Sequence, residues 1–191
     1  MTITLYAASS GQVAENYRRA AAHLGELMAR EGHTLVCGAG RTGLMGAATD
    51  AALAAGGETI GVIPEFMIEQ GWQHRAMTRL EVVPDMHRRK ERMAELADAC
   101  IALPGGVGTL EELLEIITWK QLGLFLKPVV VLNTDGYFDP LLAMLARAAE
   151  QRFMRAEHAA IWRVAATPDE ALRLCRETPL WDSSVRKLAA L

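Results

Sequence analysis

A doubly wound α/β fold is predicted by two observations in the 191-residue chain. Short apolar runs rich in β-branched residues alternate with longer stretches of helical spacing. The short runs are apolar on both faces, as expected of parallel strands covered by helices on either side. The reading is a Rossmann-like, mostly parallel sheet of about seven strands. Strands are expected near residues 3–8, 34–37, 59–63, 80–83, 100–103, 129–132 and 161–165. Helices are expected near 13–30, 44–55, 86–99, 110–122 and 140–151. In such sheets ligands bind beyond the carboxyl ends of the strands, so function is expected in strand-to-helix loops. The connection over 64–79 is long for this architecture and is expected to serve as a lid or a subunit contact.

The length fits one domain over residues 1–191, with 181–191 as a flexible tail. Hydrophobic residues make up 51% and charged residues 23%, which excludes disorder. A formal charge of −3 argues against a general nucleic-acid binder, which needs a positive face to displace counterions. Cys37, Cys100 and Cys175 are far apart and odd in number, so no disulfide framework is expected and a reducing cytoplasm fits. No signal-peptide pattern and no apolar run of membrane-spanning length is present, so no membrane partner is expected. His23, His33, His74, His87 and His158 lack ligand spacing, and no metal or cofactor is expected.

Two strand ends run into glycine clusters, Gly38-Ala39-Gly40-Arg41-Thr42-Gly43 and Pro104-Gly105-Gly106-Val107-Gly108-Thr109. Glycine lets backbone N–H groups approach an anion, and a following helix adds its positive end. The first cluster has dinucleotide-fingerprint spacing but lacks the acidic residue expected at the end of the next strand. The second has no lysine, so it is no triphosphate loop, and a monophosphate suits it better. Thr109 to Glu112 also reads as a capping box, which explains Glu112 equally well without chemistry.

Asp85 is an acceptable N-cap for a helix that opens with His87, Arg88, Arg89 and Lys90. Cations in a first turn oppose the helix dipole by roughly 0.3–1 kcal/mol each, and a bound anion would offset that. Arg89 falls within the apolar stripe Met86, Met93, Leu96 and Cys100 and is expected to point inward. A snorkelling or salt-bridged core arginine is the alternative. Arg88 and Arg92 are expected on the solvated face.

Together these segments resemble the LONELY GUY family of cytokinin riboside 5′-monophosphate phosphoribohydrolases, many once labelled lysine decarboxylases. The motif Pro-Gly-Gly-x-Gly-Thr-x-x-Glu is complete over residues 104–112, and Met-His-x-Arg-Lys over 86–90. The likeness extends to Gly43-Leu44-Met45-Gly46, Gly61-Val62-Ile63-Pro64, Ile117-Thr118-Trp119 and Lys127-Pro128. It departs at Ala39, where a third glycine is usual, and at Gly71, where an acidic residue is common. The N-terminal segment also lacks the usual cysteine and glycine, though Ser9 and Ser10 stay small and polar.

The resemblance implies Arg89 and Glu112 in the catalytic positions and Gly105, Gly106, Val107, Gly108 and Thr109 around the phosphate. Lys90 and Glu111 join the substrate contacts, with Thr118, Gly40 and Ser9 as further ones. It implies hydrolysis of the N-glycosidic bond of an N6-modified purine nucleoside 5′-monophosphate by a homodimer or an assembly of dimers. Alternatives are an AMP nucleosidase of broad base specificity and a nucleotide binder without hydrolysis. Met45, Met86, Met93 and Trp119 are candidates for an apolar base pocket, or else for core. Lys90, Lys120, Lys127 and Lys187 sit in no recognisable pyridoxal-phosphate setting, which argues against lysine decarboxylation.

Overall fold

The computed structural model describes residues 1–182. Its strands are β1 (Thr2–Tyr6), β2 (Thr34–Cys37), β3 (Thr59–Pro64), β4 (Arg79–Val83), β5 (Ala99–Ala102), β6 (Val129–Leu132) and β7 (Trp162–Ala165). They form one sheet in the order β4-β3-β2-β1-β5-β6-β7. Every neighbouring pair is parallel. The order runs outward from the centre in both directions, so the loops after β1 and β5 diverge and leave a crevice between them.

The helices are α1 (Glu15–Arg30), α2 (Gly43–Ala54), α3 (Glu65–Glu69), α4 (Met86–Leu96), α5 (Val107–Gln121), α6 (Asp139–Glu150) and α7 (Pro168–Glu177). Side chains alternate across each strand, so the sheet has a core on each face. Ile3 and Leu5 pack with Leu24, Met28, Leu44 and Leu172 of α1, α2 and α7. Tyr6 and Val36 pack on the other face with Met93, Leu113 and Ile116 of α4 and α5. Thr4 shares that second face, and its buried hydroxyl donates to the Met93 carbonyl at 2.8 Å, which removes the cost of an unpaired polar group.

Several elements differ from the sequence reading: the expected 64–79 connection contains the short helix α3, and β1 ends at Tyr6 rather than 8. α5 starts at Val107 rather than 110, with Gly106 as N-cap and no side-chain capping bond. The capping box proposed for Thr109 and Glu112 is therefore not formed. α4 stops at Leu96 rather than 99, because Ala97 turns extended and the Asp98 amide donates to the Thr2 carbonyl to open β5. α7 was not anticipated, although Thr167-Pro168-Asp169-Glu170 carries a start signal: Thr167 caps the Glu170 amide and Pro168 fills the first turn.

Within the expected tail, the Trp181 amide donates to the Leu126 carbonyl at 2.9 Å. Residues 183–191 lie outside the described residues. No helix among the described residues is long and apolar enough to cross a membrane.

Candidate active site

Three strand ends converge at the crevice. The β1 exit is tied to both glycine loops: the Ala8 amide donates to the Pro104 carbonyl, and the Ala8 carbonyl accepts from Leu44 and Met45. The Thr42 hydroxyl adds a 2.6 Å bond to the Ser9 carbonyl. A frame fixed by backbone bonds needs no reordering when a ligand arrives. The resulting cleft, of about 310 Å³, is lined by Ser9, Gly40, Arg89, Gly106, Gly108, Thr109 and Glu112 among others.

Glu112 reaches the cleft by helix periodicity. Gly108 and Glu112 are four residues apart and Thr109 and Glu112 three apart, so all three lie on one face of the opening turns of α5. Arg89 enters from α4, whose start is capped by Asp85 accepting from the Arg88 amide at 2.9 Å. Its guanidinium lies 3.4 Å from the Glu112 carboxylate, and the two side chains are 7% and 9% exposed. Arg89 Nε donates to the Val62 carbonyl at 3.2 Å and Nη2 to the Gly38 carbonyl at 3.4 Å. The end of β3 and the loop after β2 thus fix the guanidinium that Glu112 faces. A Cβ on Gly38 would lie 1.5 Å from Arg89 Nη2, so this glycine makes room for the arginine.

Burial pushes the Glu112 carboxyl up to about 7, with Arg89 opposing the rise. A carboxyl poised near neutrality in a cleft suits proton transfer or the stabilisation of developing positive charge.

Gly106 and Gly108 have a different reason to be glycine. Neither has positive φ, and a Cβ at either would meet nothing within 4 Å. Packing and conformation therefore leave both positions free, yet both line the cleft. Gly108 sits inside a helix, where glycine costs about 1 kcal/mol against alanine. A glycine in open space at a helix start leaves the backbone N–H groups accessible, and a helix N-terminus carries the positive end of the helix dipole.

Several expected contacts lie elsewhere. Lys90, expected at the substrate, is 10% exposed and pairs with Glu111 and Glu115, one turn apart on α5. It joins α4 to α5 and so sets Arg89 against Glu112, and Glu111 is taken up in the same bridge. Thr118 donates to the Leu114 carbonyl of its own helix at 2.8 Å, away from the cleft. Val107 is 84% exposed, and the Gly105 carbonyl accepts from the Tyr137 hydroxyl at 2.7 Å.

Of the apolar candidates, Met45 lines the cleft, Met93 is core, Trp119 lines an adjoining gap that shares Glu112 with the cleft, and Met86 is partly exposed. Ala7, Ala8, Ser10, Gly38 and Met67 complete the cleft but were not singled out as site residues. Arg88 pairs with Glu91, and Arg92 with Glu81 and Glu95, on the outer face of α4.

A family model described as possible lysine decarboxylase matches residues 45–175. A cytokinin riboside 5′-monophosphate phosphoribohydrolase of Rhodococcoides fascians is 46% identical over 154 residues, covering 80% of this chain and 78% of that protein. One from Arabidopsis thaliana is 40% identical over 187 residues, covering 97% of this chain and 87% of its own length. The chain belongs to the LONELY GUY family. Both LONELY GUY motifs, over 86–90 and 104–112, deliver residues to the cleft, Arg89 from the first and Gly106, Gly108, Thr109 and Glu112 from the second. The fold is shared more widely. A molybdenum cofactor carrier protein of Chlamydomonas reinhardtii superposes with a TM-score of 0.71 at 24% identity, over 92% of this chain and 96% of that one.

Proposed function

We propose that this LONELY GUY protein hydrolyses the N-glycosidic bond of a purine nucleoside 5′-monophosphate of the cytokinin type, releasing free base and ribose 5-phosphate. The buried Arg89–Glu112 pair, beside two glycines whose missing side chains serve no internal need, carries this reading. Backbone N–H groups at Gly106 and Gly108, with Thr109 and the positive end of α5, hold the phosphate. That anchor orients the ribose with its anomeric carbon toward Glu112, so binding energy at the phosphate is used at the reacting bond.

The bond from C1′ to the base nitrogen breaks with its electron pair leaving on the base. Positive charge develops on the ribose, and the Glu112 carboxylate stabilises it and accepts a proton from the incoming water. The water oxygen bonds to C1′, the base nitrogen takes a proton from solvent as the base departs, and Glu112 returns its proton to solvent, so that water supplies the hydroxyl and the net proton. Arg89, held by the Val62 and Gly38 carbonyls, favours the ionised form of Glu112 and keeps it aimed.

The working form in this proposal is a cytoplasmic homodimer or assembly of dimers, with one domain per chain. Three buried free thiols support a reducing compartment. Exposed Leu122 and Leu124 supply apolar surface for a second copy. Release of free base from AMP and from N6-isopentenyl-AMP, beside adenosine as control, tests the chemistry. The nucleoside is expected to be at least about 100-fold poorer in kcat/KM, because the phosphate anchor is lost. Arg89→Ala is expected to reduce kcat/KM by a similar factor. Nucleotide binding with no base release would leave a binding protein instead.

A further inference from the structure

The connection between β3 and β4 lies against the first glycine loop. Met67 of α3 lines the cleft, and Gly40 pairs with Gln73 in an isolated antiparallel bridge. The His74 amide donates to the Ala39 carbonyl at 2.7 Å. The His74 ring is 10% exposed, with Nε2 at 2.8 Å from Asp50 of α2. Its Nδ1 accepts from the Ala76 amide at 3.3 Å. An accepting Nδ1 puts the proton on Nε2, which donates to Asp50, so both ring nitrogens are engaged.

This residue therefore ties residues 65–78 to the glycine loop through its backbone and to the following helix through its ring. The loop needs holding. Ala39 has φ of 60°, a left-handed conformation that costs a residue with a side chain roughly 1–2 kcal/mol. Its neighbour Gly38 supplies the carbonyl that accepts from Arg89.

The sheet order assigns the two ends of the cleft. The phosphate cradle follows β5, whereas Gly40 follows β2 and Met67 follows β3. From β3 to β5 is three strand spacings, roughly 14 Å at about 4.8 Å each, so Met67 stands at the far end from the phosphate.

We propose that His74 is a positioning residue for the base end of the nucleotide: by clamping residues 65–78 onto the first glycine loop and Asp50, it fixes Gly40 and Met67 as the wall against which the purine is held and selected. This inference rests on the nucleotide orientation proposed above. The clamp acts on binding rather than on bond breaking, because the Arg89–Glu112 pair keeps its Val62 anchor without it.

Steady-state release of base from AMP and from N6-isopentenyl-AMP, with AMP affinity by calorimetry and thermal melting, tests the clamp. His74→Ala, which removes both ring hydrogen bonds, is expected to raise KM about fivefold, with kcat changed less than about twofold. It is also expected to change the ratio of kcat/KM between the two nucleotides. His74→Gln, whose amide reaches the position of Nε2 and donates to Asp50, is expected to restore most of the KM and the ratio. Asp50→Ala is expected to reproduce the His74→Ala effect, and it carries the test if His74→Ala fails to fold.

A lowered melting temperature with unchanged KM and ratio in the folded variants overturns the proposal, as does a loss confined to kcat. If the wild-type chain binds AMP without releasing base, the hydrolase reading fails while the clamp is still tested, with AMP dissociation constants replacing KM in the same comparison.

Discussion

Glu112→Gln separates catalysis from stability, because ionising this carboxylate has a cost that depends on pH. Burial raises the group from an ordinary 4.5 to about 7. At about 1.4 kcal/mol for each tenfold change in proton affinity, the difference is about 3 kcal/mol. The folded state holds the proton more tightly than the unfolded state, so this group's contribution to stability falls as pH rises from about 4.5 and levels off above about 7. The Gln variant lacks that fall. The attraction of Arg89 for the ionised carboxylate is already contained in the value of about 7, so it adds no separate pH dependence. The stability of the variant relative to wild type is therefore expected to rise by about 3 kcal/mol between pH 4.5 and 8, read from urea unfolding at fixed pH values.

Activity should run the other way. If the carboxylate form is required, wild-type kcat/KM falls about tenfold for each pH unit below 7 and is level above it. Substrate phosphate titrates nearer about 6, a full unit below this limb, which identifies the group responsible. The variant should bind AMP while losing base release. A stability difference that does not change with pH, together with wild-type kcat/KM that is flat from pH 5.5 to 8, would refute both the placement of Glu112 and the role assigned to it.

Gly108→Ala adds a methyl to open space inside α5, so its melting temperature is expected to rise by about 3 °C while KM for AMP rises at least about tenfold. An unchanged KM would show that the ligand does not approach this backbone. Lys120 is fully buried, and burial lowers its amine to about 8; its ammonium donates to the Lys127 carbonyl and faces the Trp181 ring. Because the folded value lies below the ordinary 10.5, the group opposes folding most at pH below about 8 and progressively less as pH rises toward 10.5. Lys120→Met is therefore expected to raise the melting temperature by about 3 °C at pH 7 and by less at pH 10. An equal gain at both values would place the effect in packing.

The alternation of strands and helices was legible because short runs such as Val129–Leu132 are apolar on both faces and end at turn residues. Arg89 was legible for a related reason: a cation among apolar neighbours in a first turn breaks a local rule. Glu112 was ambiguous, since Thr109 and Glu112 have capping-box spacing whether or not the box forms. Only the position of the helix start decided it, and that start depends on Gly106, a cap without a side chain to announce it.

Ala7 and Ala8 carry no chemical signature, and Met67 comes from a different strand exit, so their place in the cleft follows from sheet order alone. The bridge made by Lys90 was not legible, because its partners Glu111 and Glu115 lie on another helix and only the packing of α4 on α5 brings them to it.

Four locally unfavourable features meet at this cleft. They are a cation in the first turn of α4, a glycine inside α5, a left-handed alanine after β2 and a carboxylate buried to the point of partial protonation. Each carries a cost that a chain selected for stability alone would shed, and a buried ion pair is often no better for stability than apolar packing. Their costs do not cancel one another pairwise. Arg89 relieves Glu112 but occupies the space that Gly38 must leave open, and the loop containing Gly38 is the one strained at Ala39. Costs that lie along one connected path, from Ala39 through Gly38 and Arg89 to Glu112, are what the proposed ligand site requires. A site assembled to sustain that path should lose selectivity when its outer support at His74 is cut, and lose turnover when the pair itself is broken.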